Sequence, residues 1–224
     1  AHADHYGLAG RVKQLSQADL ALHEMETIFL RPRQHRGEDY AFRPADQMRR
    51  SGMPEEELFL LWRSPPLGGA YAPPVLPDRL LQGGERISTG VFNFEVIWTP
   101  GHSPGHICLY EPTRKILLSG DHILPIITPN ISQYNPQLKK NPLREFLTSL
   151  KAMEHLDADL VLPAHEHVFR GLRNRIGELL RHHEQRLASI AEVVKAGPKT
   201  VYEIASGIRW IIRYEGDEGI PFQD

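Results

Sequence analysis

Hydrophobic residues recur along this chain in two rhythms, and the rhythm changes several times. Phe92, Phe94, Val96 and Trp98 alternate with Asn93, Glu95 and Ile97, a period of two that predicts a half-buried strand. Two short apolar runs follow, Ile107-Cys108-Leu109-Tyr110 and Lys115-Ile116-Leu117-Leu118-Ser119, with a turn at Glu111-Pro112-Thr113-Arg114 between them. Asp159-Leu160-Val161-Leu162-Pro163 is another strand, and Leu20-Ala21-Leu22-His23 is a short one nearer the start. Elsewhere the spacing is helical. Leu8, Val12 and Leu15 share a face, so a helix is expected directly behind the first residues, with its positive end toward them. Leu143, Phe146, Leu147, Leu150 and Met153 mark the buried face of a helix that Asn141 caps and Pro142 opens. A long helix carries Leu172, Ile176, Leu179, Leu180, His183, Leu187, Ile190 and Val194 on its apolar side and stops at Gly197-Pro198. Thr200-Val201-Tyr202-Glu203 is a capping box, and Ile204 and Ile208 continue a short helix behind it. Trp210 to Asp224 reads as a strand and loop.

Residues 24–78 break this pattern. The stretch is rich in Arg, Glu, Pro and Met, with breakers at Ser51-Gly52-Met53-Pro54 and at Ser64-Pro65-Pro66-Leu67-Gly68-Gly69. Pro54-Glu55-Glu56-Glu57-Leu58 opens a helix, with Pro at its first position and acids in the first turn. An insert of short helices and loops is expected. It serves either as a lid or specificity wall, or as a solvated decoration or a homodimer contact.

Composition narrows the class. The 224 residues suffice for one sizeable core, or a core domain plus a small appendage. A net charge of -2 argues against binding nucleic acid by bulk charge. Cys108 is the single cysteine, so no intrachain disulfide can form and thiolate ligation of a metal is marginal. That suits a reducing compartment, and a cytoplasmic location is expected. No apolar run is long enough to span a bilayer, so no membrane partner is expected.

Histidine is abundant at 12 residues, and the placement of several carries chemistry. His2, Asp4 and His5 stand within four positions of one another. Three later loops each put a ligand-type residue at the exit of a strand: His102 after Phe92–Pro100, Asp121 after Lys115–Ser119, and His165 after Leu160–Pro163. Imidazole and carboxylate together are the ligand set of zinc and similar divalent ions. Gly101 and Gly120 allow tight turns beside two of these ligands.

Together, His2-x-Asp4-His5, Thr99-Pro100-Gly101-His102-Ser103-Pro104-Gly105-His106, Ser119-Gly120-Asp121 and Pro163-Ala164-His165 resemble the ordered signature of the metallo-β-lactamase fold hydrolases. The resemblance implies an α/β architecture, an αβ/βα sandwich of two sheets flanked by helices, over residues 1–170. Residues 171–224 resemble a mainly helical, winged-helix-like C-terminal appendage of some members. The histidine motif lacks its opening His, one position before Ala1, so the resemblance implies an N-terminally truncated fold. By the family pattern His2 and His102 would serve one metal, Asp4, His5 and His165 the other, and Asp121 would bridge them. This leaves the first site one ligand short, and weaker binding is expected there. The implied cofactors are two divalent ions, Zn2+ first, with Fe or Mn as alternatives. Asp4 would orient the metal-bound hydroxide and take its proton.

The implied activity is a metal-dependent hydrolase attacking an ester, thioester or lactone, with a small-molecule acyl or lactone substrate. A hydroxyacylglutathione hydrolase-like activity fits the motifs, whereas Asp121 stands where β-lactamases usually carry another residue. A nuclease acting on single-stranded RNA or DNA is the alternative, and a non-catalytic fragment or scaffold is a third reading. The remaining candidates read more plainly. His106 is expected to pack beneath the ligands. His122 and His167 are expected to line a pocket or meet solvent, and one of His182 and His183 to pack. Cys108 is expected in the core. Arg170, Arg173, Arg175, Arg181 and Arg186 are expected on a solvated helix face with Glu178 and Glu184.

Overall fold

A computed structural model describes residues 2–30, 44–63, 75–131 and 141–210 of the chain. The first element is one helical turn, α1 (Ala3–Tyr6), which replaces the expected loop. The Tyr6 amide closes it by donating to the His2 carbonyl at 2.8 Å. Next come α2 (Ala9–Ser16) and β1 (Ala21–His23). A 3-10 turn at Glu24–Glu26 follows, capped where His23 Nδ1 accepts the Met25 amide, and leads into α3 (Thr27–Leu30). The described part of the insert 24–78 holds this turn and α3, then α4 (Pro44–Arg50) and α5 (Glu55–Arg63), the last opening at the acidic run Glu55-Glu56-Glu57. The remaining elements are β2 (Arg79–Leu81), β3 (Arg86–Ser88), β4 (Asn93–Trp98), β5 (Ile107–Glu111), β6 (Ile116–Gly120), α6 (Pro142–Met153), β7 (Leu160–Pro163), α7 (Leu172–Lys195) and α8 (Val201–Gly207). The reading of a terminal strand and loop falls on residues 211–224, outside the described residues.

Two sheets result. β3, β4, β5, β6 and β7 form a five-stranded sheet in that order. Its pairs are antiparallel except β6 with β7, which run parallel with α6 between them in sequence. β1 and β2 pair in parallel as a separate two-stranded sheet. One face of the large sheet carries Cys108, Tyr110, Leu117 and Val161 against Phe146, Leu150 and Met153 of α6 and Leu172, Ile176 and Leu179 of α7. Burial of that many large apolar side chains, each contributing about 1.5–3 kcal/mol, dominates the stability of the fold. Cys108 belongs to this core as expected, and burial pushes its thiol up to about 12.

The period of two in β4 is real, but the strand is covered on both faces and not on one. Ile97 packs toward the main core, while Val96, 2% exposed, lies in a cross-strand row with Leu109, Leu118 and Leu162 on the opposite face. Both faces are thus apolar at mid-strand, as in a sandwich layer, and alternation alone could not rank them.

Helix signals are obeyed where side chains cap the backbone. Asn141 Oδ1 accepts the Arg144 amide at 2.9 Å, and the Thr200–Glu203 capping box is fully formed. Apolar faces are obeyed less well. Leu8, the cap of α2, and Leu15 within it are 73% and 68% exposed, and on α7 the buried residues stop at Leu179 while Leu187 and Val194 are exposed. α8 docks on the insert. The Tyr202 amide donates to the Ser51 carbonyl at 2.9 Å, its hydroxyl donates to Glu57, and Gly52 lies so close to Thr200 that a Cβ would sit 2.6 Å from it. Arg175 departs from the expected solvated face, because its guanidinium is turned inward onto backbone carbonyls. Among the described residues no helix is long and apolar enough to cross a membrane.

Candidate metal centre

Four segments converge at one edge of the large sheet, and each is placed by local backbone chemistry. β4 exits through Thr99, whose amide donates to the His106 carbonyl at 2.9 Å and closes the loop bearing His102. At its apex Gly101 has φ 143°, and a Cβ there would lie 2.6 Å from Phe146 Cα, so only glycine fits between this loop and α6. β6 exits through Gly120, φ 53°, where a Cβ would lie 2.6 Å from His106 Nε2. β7 exits into Ala164, whose amide donates to the Gly120 carbonyl at 3.1 Å and brings His165 beside Asp121. Asp4 and His5 ride on α1.

All six residues singled out in the sequence are brought together, in two groups. His2, His102 and Asp121 form one, and Asp4, His5 and His165 form the other; within each, the ligand atoms all lie within 4.8 Å of one another. His2 Nδ1 faces His102 Nε2 at 2.9 Å. Asp121 joins the groups. Its Oδ2 lies 2.9 Å from His5 Nε2 and 3.1 Å from His102 Nε2, and its Oδ1 lies 3.2 Å from His165 Nε2. Asp4 Oδ2 stands 3.4 Å from His165 Nε2 and 3.5 Å from His5 Nε2.

The environment selects protonation states. Burial works against charge on Asp121, but the hydrogen bond from His102 and the charges of His5, His102 and His165 outweigh it and hold the carboxyl down to about 2. Burial, and then the neighbouring His102, lower His2. Both effects favour the deprotonated forms that a metal requires. His102 Nδ1 lies 2.8 Å from the Asn130 carbonyl, so Nδ1 carries a proton, and Nε2 is the nitrogen that would give up its proton and turn its lone pair to a metal. His106 is placed likewise. Its Nε2 accepts the Asp121 amide at 3.1 Å, which leaves Nδ1–H to donate to Thr99 Oγ1 at 2.7 Å. Burial pushes His106 down to about 3, so it stays neutral beneath the ligands, as expected.

The donors fit divalent ions. Asp121 Oδ1 is buried and takes no well-directed hydrogen bond, although His165 is near. A carboxylate oxygen left this way wants a cation. Four imidazoles and two carboxylates suit zinc, iron or manganese better than calcium or magnesium.

The other histidines separate. His122 is fully buried rather than lining a pocket, with its ring edge-on to Phe146 at 4.9 Å, while His167 is exposed. His183 also meets the Phe146 ring edge-on at 5.5 Å, and His182 lies against His183. Two groups escaped the sequence reading. Glu26, 3% exposed, accepts the Gly105 amide at 2.8 Å and braces the His102 loop from the 3-10 turn. Asn130 acts through its carbonyl, and a backbone group leaves no sequence signal.

With this geometry established, comparison with known proteins is decisive. Residues 1–165 match the Metallo-beta-lactamase superfamily. The chain belongs to that superfamily. A metallo-beta-lactamase family protein of Thermus thermophilus, TTHA1429, superposes with a TM-score of 0.71 at 30% identity, over 89% of this chain and 63% of that one. The sandwich implied by the motifs is therefore the fold. Among curated proteins, acyl-coenzyme A thioesterase MBLAC2 of Gallus gallus is 38% identical over 108 residues, 43% of this chain and 34% of that protein. Hydroxyacylglutathione hydrolase GloC of Haemophilus influenzae is 31% identical over 121 residues, 54% of this chain and 45% of that protein. The chain spans less than half the length of these two superfamily relatives.

Proposed function

We propose that this chain carries the metal centre of a thioester hydrolase. The observation that supports the reading most is the Asp121 carboxylate, shared between two three-residue donor groups at an open sheet edge. Two divalent ions held there would supply a hydroxide at neutral pH and polarise the scissile carbonyl. His2, His102 and Asp121 would hold one, and Asp4, His5 and His165, with Asp121 between, the other.

The residues divide the work. Asp121 fixes the separation of the two groups. The Asn130 carbonyl and the Asp121 amide hold His102 and His106 in single tautomers, which limits reorganisation during the reaction. Asp4, well exposed and beside His5 and His165, is placed to orient the attacking water and accept its proton. Asp4, His5 and His165 are exposed among the described residues, which suits a centre reached by a substrate. The preference for a thioester over an ester or lactone is supported by the thioesterase and the hydroxyacylglutathione hydrolase among the relatives.

The test is a substrate panel with zinc, manganese or iron added: acyl-coenzyme A and acylglutathione thioesters, oxygen esters, lactones and labelled single-stranded RNA. Thioesters are expected to turn over fastest, and the Asp4→Asn variant to lose most activity, with metal weakened at the His5 and His165 group and retained at the His2 and His102 group. Cleavage of RNA with no thioester turnover would overturn the proposal.

A further inference from the structure

The segment 121–131 runs from Asp121 to Ile131 without helix or strand. It carries a group of the centre at each end: the Asp121 carboxylate, and the Asn130 carbonyl that accepts from His102 Nδ1 at 2.8 Å. Irregular backbone needs external partners, and this segment finds them on α7. Arg175 Nε donates to the Leu124 carbonyl at 2.7 Å, and its Nη2 donates to the Ile126 and Ile127 carbonyls at 2.7 and 2.9 Å. Nη1 is turned to Glu178 at 2.8 Å. The side chain is only 13% exposed. From the other side, Glu166 Oε2 accepts the Ile126 amide at 3.0 Å; Glu166 follows His165 and has φ 69°.

We propose that Arg175 is a positioning residue for the metal centre, holding segment 121–131 so that the Asn130 carbonyl sets the tautomer and aim of His102. The chemistry is specific to arginine. Three carbonyls are gripped by one planar fork whose charge is permanent. An ammonium on a flexible stem presents its donors from a single point and cannot span the same three acceptors. Removing the fork frees three carbonyls at mid-segment, and the displacement is passed along the backbone to Asn130. His102 then loses the partner that keeps Nε2 unprotonated and directed at the centre. The helix that begins the C-terminal part of the chain thereby acts on the metal site without touching a ligand.

The inference rests on reading the site as a metal centre. It does not depend on the substrate, because its readouts are zinc affinity and the His102 ring proton. Arg175→Lys, Glu178→Gln and the unaltered protein would be compared by zinc competition against a chromophoric chelator and by proton–nitrogen spectra of labelled histidine. For Arg175→Lys the affinity of the tighter zinc is expected to fall by about ten- to a hundredfold, the usual effect of losing an outer-shell partner. The hydrogen-bonded Nδ1–H signal of His102 is expected to shift and exchange faster. Glu178→Gln should leave both unchanged. If Arg175→Lys does not fold, Glu166→Ala frees the same segment from its exposed side, and the His102 signal reads the outcome. Unaltered zinc affinity, or an unmoved His102 signal in the variant that folds, would overturn the proposal.

Discussion

The two donor groups share Asp121 yet differ in nearly every other respect. His2, His102 and Asp121 sit in the sheet edge, and the Asp121 side chain is only 8% exposed. His102 is tied to a backbone carbonyl, its loop is braced by Glu26, and Asp121 is held through its amide by His106. Asp4, His5 and His165 stand in solvent, with the Asp4 side chain 58% exposed. Ligand count favours the exposed group, which gains Asp121 as a fourth donor. Burial and bracing favour the other. On the proposed reading, an ion at the braced group would be held rigidly and one at the exposed group would be open to substrate and exchange. Ligand identity can be read from residue types alone, whereas the rigidity of a ligand depends on what stands behind it.

The largest disruption should come from the shared residue. Asp121→Ala is expected to remove both ions together and to lower hydrolysis on the order of a thousandfold or more, as loss of a group that serves a whole unit does. Metal analysis of the purified variant, alongside the thioester assay, checks this; one full equivalent of tightly held zinc would show that the two groups are independent. A smaller and one-sided effect is expected from Gly101→Ala. The φ of 143° and the contact with Phe146 leave no space for a methyl group. The strain should cost about 3 kcal/mol in denaturant unfolding. Zinc should weaken at the His102 group while His5 and His165 stay responsive to metal.

The smallest effect concerns the layer behind the buried group. Burial pushes His183 down to about 4, and its Nε2 is buried without a partner. A lowered pKa in the folded state means that the unfolded chain binds the proton more readily, so this contribution is complete above pH 6.5 and lost as pH falls toward 4. With the metals stripped, His183→Leu should lose less stability than the unaltered protein across that window, measured as the urea midpoint against pH. Parallel curves would show that His183 has no part in acid sensitivity.

How far the sequence revealed these features follows from the range of each signal. Short-range signals carried over. The Asn141 cap, the Thr200 capping box and the strand-exit glycines each depend on neighbours a few residues away, and each is found as read. His102, Asp121 and His165 stood out as candidate ligands because an imidazole or carboxylate at the end of a strand has a recognisable context, and His2, Asp4 and His5 because they crowd within four positions. Features that depend on distant partners were not. Ile97 and Val96 are equally apolar, so only the packing of α6 and α7 decides which one meets the main core. Leu8, Val12 and Leu15 have the spacing of a buried face, but no described element covers them. Arg175 sits in a run of arginines interleaved with glutamates, and nothing local separates it from the solvated ones. Its partners are carbonyls about fifty positions away in the chain, at Leu124, Ile126 and Ile127.

The central claim is that two unequal metal sites meet at Asp121. Its most direct test is to load the chain with zinc, remove the excess, and follow zinc release to a chromophoric chelator over time. The geometry predicts two equivalents per chain, released in two phases, the fast one abolished by His165→Ala and the slow one by His102→Ala. Release of a single equivalent in one phase, or of two that respond identically to both substitutions, would contradict it.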